Sequence, residues 1–183
     1  MKKILLSLIL ITPLYNNADV MYGFVGMETG DIGVDSSEYD VTAYELGFIA
    51  ASGNLIFSTA AASGTVDDVL GYDLDFVGQN IDIGYAFGDI TKGTFVLGAS
   101  YISGEIQNPG SSNIKSSDTE AFIGYSKMSG DGTDYQVSIM DGLISAIAIL
   151  PVGNSENLRA LIGYGSSDES DSISFGVVYK FNF

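Results

Sequence analysis

Hydrophobic and polar residues alternate with a period of two along most of this chain. At its end Ile173, Phe175, Val177, Tyr179, Phe181 and Phe183 occupy one set of positions, and Ser174, Gly176, Val178, Lys180 and Asn182 the other. Successive side chains of a strand point to opposite faces, so this pattern predicts a strand with one face for lipid and one for water. The period recurs upstream. Tyr44, Leu46 and Phe48 alternate with Glu45 and Gly47, and Ile81, Ile83, Tyr85 and Phe87 with Asn80, Asp82 and Gly84. Leu97, Ala99 and Tyr101 alternate with Val96, Gly98 and Ser100, and Ala121, Ile123 and Tyr125 with Glu120, Phe122 and Gly124. Leu158, Ala160, Ile162 and Tyr164 alternate with Arg159, Leu161 and Gly163.

These patterns predict strands near 20–29, 40–51, 55–64, 74–87, 94–104, 119–127, 134–140, 143–150, 158–165 and 172–183. The connections alternate between compact turns (52–54, 88–93, 128–133 and 151–157) and long polar segments (28–39, 63–73 and 103–118). Short turns at one rim and long loops at the other predict an all-β, antiparallel, up-and-down transmembrane barrel with its termini on the short-turn side. The strand number depends on Asp141-Gly142. A type I′ hairpin there gives ten strands, and an irregular connection gives eight.

Aromatic residues gather in two sets. Phe48, Phe57, Tyr85, Phe87, Phe95, Tyr125, Tyr135 and Phe181 fall near the short turns, and Tyr39, Tyr44, Tyr72, Phe76, Tyr101 and Tyr164 near the long loops. Two belts separated by aliphatic residues fit two membrane interfaces better than a soluble sandwich. At the other end of the chain, Met1-Lys2-Lys3 precedes an apolar run from Ile4 to Leu14 and a small residue, Ala18. That run is too short for a membrane helix, which needs about 20 apolar residues, and predicts a signal peptide over residues 1–18, with the barrel over 19–183.

Composition agrees with this picture. Gly supplies 23 of 183 residues, Tyr 11 and Phe 10, and no cysteine is present to staple an exported chain. A formal net charge of −16 excludes a nucleic-acid binder, which needs a basic patch for phosphates.

With its signal peptide, its alternation and its final Tyr179-Lys180-Phe181-Asn182-Phe183, the chain resembles the small bacterial outer-membrane β-barrel superfamily. That group includes the outer membrane protein A transmembrane domain, the OmpX type and the opacity-type porins. The resemblance implies an outer-membrane monomer in contact with outer-membrane lipid. It also implies Tyr179, Phe181 and Phe183 as an assembly signal read by the barrel-insertion machinery, with periplasmic chaperones as partners on the way. Ten strands depart from the eight of those relatives, so no loop function carries over.

The chain has no histidine, whereas the barrel enzymes of the outer membrane use one as their proton acceptor and donor. No enzyme is expected, and no catalytic, cofactor or metal residue is assigned. The candidate site is a set of lumen charges, Glu45, Asp82 and Glu120, with Arg159 and Lys180 as pairing partners. Acidic residues also crowd the long loops, at Glu28, Asp31, Asp35, Glu38, Asp40, Asp67, Asp68, Asp73, Asp75, Asp168, Glu169 and Asp171, with Lys115 alone opposing them. These loops are candidate sites for cations. Two readings stay open: a porin-like, narrow, cation-preferring channel, or a non-conducting structural or surface-binding barrel acting through its acidic loops.

Overall fold

Ten antiparallel strands joined by hairpins close into a barrel in the computed structural model, which describes residues 18–34, 37–69, 71–107 and 112–182. They are β1 (Val20–Val34), β2 (Ser37–Ser52), β3 (Leu55–Val69), β4 (Tyr72–Ala86), β5 (Thr94–Gln107), β6 (Ile114–Lys127), β7 (Asp134–Met140), β8 (Leu143–Pro151), β9 (Leu158–Ser166) and β10 (Ser170–Phe181). The seam joins β1 to β10 from Met21 opposite Phe181 to Ile32 opposite Ser170. Closure removes the sheet edges, which is what a strand-built span needs in lipid, where no water satisfies a free amide or carbonyl.

Asp141 and Gly142 both adopt positive φ, at 40° and 81°. They form the two-residue turn between β7 and β8, where Met140 pairs with Leu143, so the count is ten and not eight. The outer ends of the first six strands differ from expectation. The polar segments 28–39, 63–73 and 103–118 are largely strand, and only short tips remain between β1 and β2, β3 and β4, and β5 and β6. Antiparallel ladders carry polar side chains on both faces where both faces meet water, so pairing overrides the loop-like composition.

The outward face is an apolar girdle. Val25 is 60 % exposed, Leu46 58 %, Ile83 57 %, Ile123 56 % and Phe175 51 %. Continuous exposure of this kind around a whole barrel marks a surface built for hydrocarbon. Near the short turns the aromatic belt is a set of ring contacts: Tyr85 with Phe87 and Phe95 with Tyr125, both at 5.5 Å, Tyr125 with Tyr135 at 6.2 Å, and Tyr179 with Phe181 at 5.3 Å. Tyr44, Tyr101 and Tyr164 stand exposed toward the opposite interface. Tyr39 and Phe76 do not belong to that belt, because their pairing with Ile32 and Gly64 puts them on the inward face.

The closing strand is anchored by its aromatics. A Cβ at Gly23 would lie 3.2 Å from the Phe181 ring and 3.3 Å from the Phe48 ring, so both rings cover the glycine beside the seam. Of the assembly signal, Phe183 lies outside the described residues, as do residues 1–17 of the expected signal peptide.

The wall is uneven in height. β6 pairs with β5 from Ile114 to Ser126 but with β7 only from Ile123 to Lys127. The hairpins of β1 to β6 therefore rise above a low lip made by β7 and β8, which have 7 and 9 residues. At the opposite end the turns are tight. Asp89 there accepts hydrogen bonds from the Thr91 hydroxyl at 2.6 Å and the Thr91 amide at 3.0 Å and pairs with Lys92 at 3.0 Å. The Thr91 hydroxyl, then Lys92, hold its carboxyl down at about 2.

Candidate functional site

The lumen is closed at its short-turn end. The connection from Met128 to Thr133 folds inward, with Met128 3 % exposed, and Asp134 at the start of β7 is 1 % exposed. Asp134 takes the donors of this turn. Its carboxylate accepts from the Ser129 amide at 2.8 Å, the Ser129 hydroxyl at 3.0 Å, the Gly130 amide at 2.9 Å and the Tyr22 hydroxyl. The cations take the acceptors. Arg159 donates to the carbonyls of Gly132, at 2.6 Å, and Gly130, and Lys180 donates to that of Gly130 at 2.9 Å. The Arg159 guanidinium carbon lies 5.7 Å from the centre of the Tyr22 ring. One turn is thus held by an anion on its amides and by two cations on its carbonyls. Charge-assisted bonds of this kind are the stronger class.

Around this base packs a hydrophobic core that includes Tyr22 and Met128 of the base itself together with Ile49, Ile56, Ile90, Val96, Ile149 and Leu161. The floor above it uses two inward aromatic rings seated on glycine. A Cβ at Gly47 would lie 2.6 Å from the Phe24 ring, and one at Gly98 2.4 Å from the Phe122 ring. Only glycine lets a ring approach the wall so closely.

The outer half of the lumen is a cup of about 720 Å³. Its wall is largely apolar, with Val66, Phe76, Ile102, Ile106 and Ile147 among the lining residues. Asp82 projects into it, accepting from the Ser58 hydroxyl at 2.5 Å, the Ser100 hydroxyl at 2.6 Å and Asn80 Nδ2 at 3.3 Å. Higher on the wall Glu45 meets Glu28 side chain to side chain, and both line the cup.

The five lumen charges read from the sequence therefore do not form one cluster. Asp82 and Glu45 line the cup, and Glu120, half-buried on the inward face of β6, lies opposite Ser100. Arg159 and Lys180 sit at the base and bond to turn carbonyls, with Lys180 also 3.7 Å from Asp131. The carboxylates at this base are Asp131, beside Lys180, and Asp134, which binds the amides of the same turn, and not Glu45, Asp82 or Glu120. Glu28, expected at the edge of a loop, belongs to β1. Sequence reasoning missed Tyr22 and Asp134. The signal for Tyr22 was available, since extending the period of two through the first strand puts an aromatic on the inward face at that position.

At the acidic rim Lys115 pairs with Glu105 at 3.1 Å, and Asp73 accepts from the Asp68 amide at 3.1 Å. Among the described residues, no three acidic side chains come together as a metal site.

No family model and no curated protein matches this chain. It is similar to the solved structure of Neisserial surface protein A, with 14 % identity, a TM-score of 0.49, and coverage of 88 % of this chain and 97 % of that one. It is also similar to Ail, the attachment invasion locus protein of Yersinia pestis, solved in complex with the heparin analogue sucrose octasulfate. The identity there is 13 %, the TM-score 0.45, and the coverage 88 % and 98 %. The translocator domain of the autotransporter NalP from Neisseria meningitidis gives 12 % identity, a TM-score of 0.48, and coverage of 97 % and 93 %. At such identities nothing about a ligand carries over, and the chemistry of the lumen follows from this chain's own side chains.

Proposed function

We propose that this protein is an integral outer-membrane barrel that works as a blind, outward-facing binding cup and not as a through-channel. The observation that carries this reading is the base. Asp134, Arg159 and Lys180 hold the Met128–Thr133 turn across the lumen with hydrogen bonds, and a hydrophobic core packs around it. Ions crossing this barrel would have to break several charge-assisted hydrogen bonds and pass a dry core, and each step is costly. The outer half has the opposite character: open, partly apolar and acidic. Its position within the apolar girdle, together with the export signal read from the sequence, supports a cup that faces the cell exterior.

Planar-bilayer recording of refolded protein tests this. Folding is checked first by the mobility difference between unboiled and boiled samples, because a closed barrel resists detergent until heated. Verified folded protein should give no steady conductance. Steady cation-preferring currents would favour the narrow channel instead. Their selectivity would then weaken as salt shortens the Debye length from about 10 Å at 0.1 M to about 3 Å at 1 M.

A further inference from the structure

We propose that the cup binds an organic cation with an apolar body, and that Asp82 is the residue that holds its charge. The inference rests on the blind-cup reading and adds the ligand's chemical class. A cavity of about 720 Å³ falls in the range of small-molecule sites, which are mostly apolar with a few placed polar groups. The charge of those polar groups is one-sided here. Asp82 is hydrogen-bonded by two serine hydroxyls and an asparagine amide, all neutral donors, so its geometry is satisfied while its charge is not neutralised.

All seven basic residues of the chain are engaged or placed elsewhere. Lys2 and Lys3 belong to the expected signal peptide. Lys92 pairs with Asp89 in the short turn after β4, and Lys127 reaches the Thr133 carbonyl at 3.5 Å. Lys115 pairs with Glu105, and Arg159 and Lys180 serve the base. Among the described residues, no basic side chain is left to neutralise Asp82.

The rest of the wall favours a ligand with an apolar body over a hydrated metal ion. Phe122 forms part of the floor, and Phe76, Ile102 and Ile106 stand toward the mouth. Glu45 lies four residues nearer the mouth than Asp82 in register, because it pairs with Ala62 and Asp82 pairs with Ser58. At about 3.3 Å per residue this is roughly 13 Å along β3, and less along the axis of a barrel with tilted strands, so the second acid lies nearer the mouth by which a cation would enter.

Tetraphenylphosphonium and tetraphenylborate test the inference, since they share shape and apolar surface and differ in the sign of charge. Binding is measured by equilibrium dialysis against folded protein in amphipol near neutral pH, with protein-free amphipol subtracted. The wild type should bind the phosphonium at least tenfold more tightly than the borate. Asp82→Asn should remove most of that preference while keeping an amide side chain at the site, and its folding is checked by the heat-dependent mobility shift. Equal binding of both ions, binding of neither, or full preference surviving in Asp82→Asn would each overturn the ligand class. Silent bilayers beside any of these results would leave the blind cup standing. Conductance with intact discrimination would overturn the blind cup alone.

Discussion

The same ten strands build two lumen halves of opposite character. In the base, Asp134 is buried and accepts from two amides and two hydroxyls, and the turn it binds is held from its carbonyl side by Arg159 and Lys180. In the cup, Asp82 faces a cavity, and its partners Ser58 and Ser100 carry hydroxyls that can turn to water. An aspartate inside a barrel is therefore not one thing. Where its partners are buried backbone amides it is structural, because nothing replaces it as their acceptor. Where its partners are hydroxyls beside open space, its charge remains available.

The largest expected effect tests that contrast directly. Asp134→Ala would leave the amides of Ser129 and Gly130 and the Tyr22 hydroxyl without their acceptor, and would leave Arg159 and Lys180 with no buried anion on the other side of the turn. Several buried groups deprived of a charged partner at once cost on the order of 3–5 kcal/mol. Asp82→Ala should cost less than about 1 kcal/mol, since water replaces what its hydroxyl partners lose. Urea unfolding of both variants in the same detergent measures the difference. Equal losses would show that the cup is packed as tightly as the base.

A smaller effect separates the floor from the upper wall. A Cβ at Gly98 would fall 2.4 Å from both the Ile83 carbonyl oxygen and the Phe122 ring, whereas at Gly78 the nearest atom is 3.7 Å away. Gly98→Ala should therefore cost about 1–3 kcal/mol by overpacking, and Gly78→Ala should fall within about 0.5 kcal/mol of wild type. The same unfolding assay reads both. A neutral Gly98→Ala would mean that Phe122 swings freely and that the floor is not fixed.

The barrel was legible in the sequence where one face of a strand meets lipid, because hydrocarbon enforces the period of two. The runs from Tyr44 to Phe48, Ile81 to Tyr85 and Ile173 to Phe181 all resolve into strands with the expected faces, and β4 ends one residue before Phe87. Beyond the membrane that constraint lapses. The polar extensions at Asp31–Val34, Thr65–Val69 and Ile114–Asp118 pair as strand although nothing in their alternation demands it. Tyr39 and Phe76 were placed in a belt by residue type, while parity puts them inside. The base was the least legible part. Met-Ser-Gly-Asp-Gly-Thr at 128–133 has the composition of an ordinary exposed turn, and what pulls it inward is spread over β1, β9 and β10 in Tyr22, Arg159 and Lys180. Contacts assembled from four distant segments leave no local period to read.

The smallest expected effect concerns which way the two halves point, and it uses two turns that are closely matched in strain. Gly142 joins β7 to β8 with φ of 81°, Gly153 lies between β8 and β9 with φ of 58°, and neither has any atom within 4 Å of where a Cβ would stand. A cysteine at either position meets no clash and pays only for a left-handed backbone, about 1 kcal/mol. Both variants should fold, with similar small losses. They differ in side, because Gly142 tops the low lip beside the cup and Gly153 lies at the end where the base is sealed. If the cup faces outward, an impermeant thiol reagent on intact cells should label Gly142→Cys and leave Gly153→Cys unlabelled until the cells are opened. Since the native chain has no cysteine, no background thiol competes. Labelling at Gly153 alone would turn the barrel over and present the sealed base to the exterior, and no external ligand would then reach Asp82.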